Sequence, residues 1–143
     1  MGVACLNLQS AIILSAVLLG GSHGPPSNGR LHGRDCNSID DVLMLSEDDV
    51  DVCTAGLLIA KEYDHDLDVA AARSRVDAMA AEVVSGVSGE APVDVVASEL
   101  TRYLFTRLGY VTGAEWMPQR VLVAKAGNCV GLTWLYLSIA ERI

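Results

Sequence analysis

The residues of this chain best suited to covalent chemistry are Gly127-Asn128-Cys129, at the mouth of its last apolar stretch. Asn128 is a good helix N-cap, which places Cys129 in the first helical turn. Unpaired backbone N–H groups and the positive end of the helix dipole favour a thiolate there over a thiol. A thiolate so placed is suited to attack a carbonyl carbon. Nothing between Val130 and Ile143 offers a base, since the stretch holds no histidine. His23 and His32 fall in leader and linker sequence, and His65 lies in an acidic interhelical turn where a solvated role is expected. Cys129 is therefore a candidate catalytic residue whose partners are missing. The plain alternative is a helical cysteine that fills space.

Other chemical signatures are silent. The chain has no Gly-x-Ser-x-Gly, phosphate loop, Cys-x-x-Cys or His-Glu-x-x-His, so no metal or cofactor is expected. The acidic run Glu47-Asp48-Asp49-Val50-Asp51 lacks the ligand spacing and central glycine of a calcium loop. It reads instead as a solvated helix start that suits the dipole. Trp134 is expected in the core, whereas Trp116 suits a substrate groove and a packed loop equally. A formal charge of −8 without a Lys/Arg cluster argues against nucleic acid or anionic lipid as a partner.

With 143 residues, the chain has room for one domain and a leader. Its mean hydropathy of +0.35 is concentrated near the two ends. Residues 1–22 read as a signal peptide, with Ala11–Leu19 as its apolar core and Gly20-Gly21-Ser22 for cleavage. That run is too short for a comfortable membrane span, so no stable span is expected once the leader is removed. No Lys or Arg precedes the run, which leaves a mis-started reading frame as the alternative. Export is expected if the leader is genuine and a cytoplasmic location otherwise. Removing the leader takes Cys5 with it and leaves Cys36, Cys53 and Cys129, an odd number. A Cys36–Cys53 bridge and separate free thiols both fit the sequence.

The elements that must position Cys129 are helical. Residues 23–38 form a Gly/Pro/Ser/Asn-rich linker that should be loose, and the folded part begins near Ser38. Ser46 through Asp49 resembles a capping box ahead of Val50, Cys53, Leu57 and Ala60 at helical spacing. Val69, Ala72, Val76, Met79, Ala80 and Val83 make a second stripe, with Asp66 as its cap and Gly86 as its stop. Pro92 opens a third, through Val93, Val96, Ala97, Leu100, Leu104 and Leu108, closed by Gly109. Tyr110 to Met117 reads as a loop, and Pro118 starts a short helix that ends before Gly127. No period-two alternation is long enough for a strand. The final helix is apolar on nearly every face and needs cover all round. The expected class is mainly α.

Two segments carry a family likeness. The first is Leu57-Leu58-Ile59-Ala60-Lys61-Glu62-Tyr63-Asp64-His65-Asp66-Leu67-Asp68-Val69-Ala70-Ala71, with Arg75-Val76-Asp77-Ala78-Met79-Ala80 downstream. The second is Arg102-Tyr103-Leu104-Phe105-Thr106-Arg107-Leu108-Gly109-Tyr110, then Gly127-Asn128-Cys129-Val130-Gly131-Leu132 and Leu135-Tyr136-Leu137-Ser138-Ile139-Ala140-Glu141-Arg142. In this order they resemble the SirB-type transglutaminase-like family. The resemblance implies the N-terminal helical portion of an α+β papain-like fold with a Cys-His-Asp triad. Cys129 alone carries over. The family's His and Asp lie on strands after the cysteine helix, where this chain has ended. Residues 39–143 are thus expected to form an incomplete transglutaminase-like domain. Its expected function is that of a truncated thiol hydrolase or acyltransferase acting on protein or peptide, inactive alone. The competing expectations are a non-enzymatic helical module, completed by a partner or by self-association through the last helix, and the unstable product of a truncated reading frame.

Overall fold

The computed structural model describes residues 32–87 and 91–143. The predicted signal peptide, Cys5, His23 and the start of the linker lie outside them, as does most of the Gly/Ser turn before Pro92. Among the described residues the fold is mainly helical, as the periodicity predicted, and no helix is long and apolar enough to cross a membrane.

The described end of the predicted linker is packed. A 3-10 turn at His32–Asp35 leads into α1 (Ile39–Leu43). A Cβ on Gly33 would lie 2.7 Å from the Asp51 amide nitrogen, so the chain passes there only because glycine lacks one. Ser38 and Asp41 form the true capping box, each side chain bonding the other's backbone amide. Ser46 starts only a 3-10 turn, Glu47–Asp49. The first long helix, α2 (Val52–Lys61), is capped by Asp51, which accepts from the Cys53 amide. The cap of α3 (Val69–Gly86) is likewise Asp68 rather than Asp66, because the Asp68 carboxylate reaches the Ala71 amide at 2.9 Å.

Helix α4 (Val93–Arg102) runs into a π-helical turn at Tyr103–Arg107, and Gly109 ends it in the left-handed region at φ 74°. Val93, counted in the third stripe, is instead 84% exposed, because the first turn overhangs the core. A strand pair follows that no alternation foretold: β1 (Val111–Thr112) pairs in parallel with β2 (Ala126–Gly127). Between them lies α5 (Pro118–Ala124), and after them α6 (Cys129–Ala140).

The core gathers Leu57, Val76, Val83, Leu100, Leu135 and Ile139 between α2, α3, α4 and α6. Trp134 belongs to it, as expected, and its indole N–H donates to the Val52 carbonyl at 3.2 Å. Most of α6 is covered by this packing; Cys129, Val130 and Thr133 form a face left exposed among the described residues. Helices α2 and α6 touch most closely at Gly56, where an added Cβ would lie 2.3 Å from Trp134 Nε1 and 2.6 Å from Cδ1. Replacing Gly56 with Ala is therefore expected to destabilise the fold by about 1–3 kcal/mol, despite alanine's helix advantage of roughly 1 kcal/mol. Urea denaturation of the variant checks this.

Candidate functional site

The site at Cys129 is built by the strand pair and one helix terminus. Lys125 adopts the left-handed conformation (φ 51°) that ends α5 and turns the chain into β2. The Val111 amide donates to the Lys125 carbonyl at 3.0 Å, and the Gly113 amide to the Gly127 carbonyl at 2.8 Å. These bonds fix β2 immediately before the helix. The Asn128 amide donates to the Glu115 carbonyl at 2.7 Å, while its side-chain Oδ1 accepts from the Gly131 amide at 3.0 Å. Asn128 is thus the N-cap that its residue type predicted.

Gly131 explains how close the neighbouring loop comes. A Cβ there would fall 2.6 Å from Val121 Cγ2 and 2.9 Å from the Glu115 carbonyl oxygen. The loop before α5 is therefore pressed against the first turn of α6. Trp116 in that loop is 48% exposed and meets Tyr63 edge-on, with ring centroids 6.0 Å apart. Cys129 occupies the first position of α6 and is exposed. Among the described residues its side chain has no hydrogen-bond or ion-pair partner. His65 lies in the turn after α2 and is exposed; the adjacent Asp64 accepts from Gln119 Nε2 at 3.3 Å. Among the described residues no base is hydrogen-bonded to the thiol.

All three described cysteines are free. Cys53 is fully buried, and burial pushes its thiol up to about 12 against the opposing pull of Arg142. Burial also raises the Cys36 thiol, with Asp41, Asp35 and Asp51 adding to the effect. Neither shift favours the thiolate. Among the described residues no group of His, Cys, Asp and Glu could hold a metal ion.

The other end of α6 carries a charge cluster that sequence reasoning missed. The Arg142 guanidinium donates to Asp51 Oδ2 at 2.9 Å, Asp77 Oδ1 at 2.7 Å and the Ser138 carbonyl at 2.6 Å. Asp51, expected in a solvated run, is fully buried and also accepts from Thr54 Oγ1 at 2.8 Å. The signal available was local: Asp51 and Thr54 three residues apart, just before an apolar helix. Arg142 lies 91 residues from Asp51 and gives no such signal.

Beside this cluster, Glu141 Oε2 accepts from the Val52 amide at 3.0 Å. Burial pushes the Glu141 carboxyl up from 4.5 to about 7; the Val52 bond and Arg142 oppose that shift and Asp51 reinforces it. Compared with known proteins, the chain matches no family model, no curated protein and no solved structure.

The Glu141 environment makes stability depend on pH. Between about 4.5 and 7 the folded chain retains a proton that the unfolded chain has lost. This contribution is full at the acid edge of the window and is lost as pH rises through 7. Melting temperatures across the window should therefore show a downward component with rising pH. Glu141→Gln should abolish that component, since its amide oxygen still accepts from Val52 but carries no proton to lose.

Proposed function

We propose that the chain carries the nucleophile-bearing part of a transglutaminase-like thiol hydrolase or acyltransferase domain, with Cys129 as the attacking group. The observation that supports this reading is the placement of Cys129: first in its helix, after a glycine-asparagine cap, exposed and unpartnered. A helix N-terminus is one of the environments that activate a thiol in proteins. In the proposed chemistry, Sγ bonds to the carbonyl carbon of an ester or amide on a protein or peptide. The C–O or C–N bond then breaks, and the leaving group departs with its electron pair. A histidine would carry the proton and an aspartate would orient it. Neither stands beside Cys129 among the described residues, and losing triad partners removes orders of magnitude of rate. The described part is thus read as competent for acylation by an activated ester and incompetent for turnover.

A second reading is a non-enzymatic helical module completed by another protein or a second copy. It is favoured by the exposed apolar side chains near the strand pair, Val111, Val123 and Val130, each more than half accessible. Analytical ultracentrifugation separates the two: self-association lost on Val130→Lys supports the module.

The enzymatic reading is tested with p-nitrophenyl acetate. One equivalent of nitrophenolate should be released, with the acetyl group found on Cys129 by mass spectrometry and negligible turnover afterwards. Cys129→Ala should remove the burst without altering the melting temperature. Acetylation spread over Cys36 and Cys129 alike, or none, would defeat the reading.

A further inference from the structure

A cleft of about 600 Å³ whose lining does not include Cys129 opens between the 3-10 turn at His32–Asp35, the end of α2 and the start of α3. Three cations, Arg34, Lys61 and Arg73, line it. Arg34 is neutralised by its ion pair with Asp77. Lys61 and Arg73 have no carboxylate partner among the described residues. Arg73 is anchored by one guanidinium nitrogen to the Arg34 carbonyl, which fixes the planar group at the cleft wall.

Asp35 and Asp68 also line the cleft and balance Lys61 and Arg73 in formal charge, but neither forms an ion pair with them; the Asp68 carboxylate caps the Ala71 amide. Val69 and Ala70, the first two residues of α3, also line the cleft. Their amides have no partner within the helix, which adds donors of the kind that oxyanions take. Leu58 and Leu67 supply an apolar wall, and the volume exceeds what a bare anion would fill. Clefts of this size hold small organic ligands. Cys36 also lines the cleft, its thiol held up by burial and by nearby acids.

We infer that this cleft binds a small organic phosphate, its phosphoryl oxygens held by Arg73 and Lys61 and its apolar body laid on Leu58 and Leu67. A guanidinium fork with an ammonium beside it is a common arrangement for phosphate. The inference does not depend on the reading of Cys129.

Cys36 provides an internal reporter. Alkylation of Cys36 and Cys129 by iodoacetamide is followed in the full chain at mildly alkaline pH. The additions are phenyl phosphate, inorganic phosphate or benzoate, with sodium chloride at matched ionic strength as reference. Phenyl phosphate should slow Cys36 by about threefold at twice its dissociation constant, leave Cys129 unchanged and raise the melting temperature. Inorganic phosphate should act more weakly. Lys61→Gln, at an exposed position, should lose both effects, and Arg73→Gln should do the same. The inference is overturned if neither effect occurs in the native chain or if both persist in Lys61→Gln. Equal effects from benzoate, or equal slowing of Cys129, would overturn it as well.

Discussion

Arg142 is 5% exposed and holds a fully buried Asp51 on one side and Asp77 on the other. A guanidinium taken out of water is costly unless its donors are satisfied, and here the donors meet two carboxylates and the Ser138 carbonyl. The cluster fixes geometry because Asp51 has two duties. The carboxylate that receives Arg142 also caps α2 through the Cys53 amide and the Thr54 hydroxyl. The start of α2, the middle of α3 and the end of α6 are thereby tied at one point. Removing one partner of such a buried group leaves a charge stranded, at a typical cost of about 3–5 kcal/mol.

The consequence reaches the opposite end of α6. Twelve residues at about 1.5 Å each place Cys129 roughly 18 Å from the charge cluster. Trp134, bonded to the Val52 carbonyl and pressed on Gly56, prevents rotation of α6 about its axis. Asn128 and the short parallel strand pair fix the other terminus. Cys129 is therefore held on a braced helix and not on a loose loop. Its exposure reflects its face of α6, which it shares with Val130 and Thr133 and which the described residues leave uncovered.

Helical content and the cysteine's placement were legible in the sequence because both are local. The stripe from Val69 to Val83 and the stop at Gly86 needed only periodicity, and the Asn128 cap needed only its side chain. Caps chosen among several acids were harder: Asp66 and Asp68 are equally plausible by type, and only the bond to Ala71 separates them. The strands could not be foreseen, since two residues each offer no alternation and their pairing is made across the intervening α5. Asp51 was hidden among solvated acids because its partner lies at the other end of the chain. The same non-locality applies at Cys129: no spacing around it indicates which groups would come to face it.

The central functional claim is that the fold makes Cys129 a nucleophile and does not merely store it. The direct measurement is the rate of iodoacetamide alkylation at Cys129, taken at one mildly acidic pH in the native chain and again in urea. Peptide mapping assigns the label to its cysteine. The account predicts faster labelling of Cys129 in the folded chain than in the unfolded one, with Cys53 protected until unfolding. A folded rate equal to or below the unfolded rate would contradict it and leave Cys129 as a surface thiol on a well-braced helix.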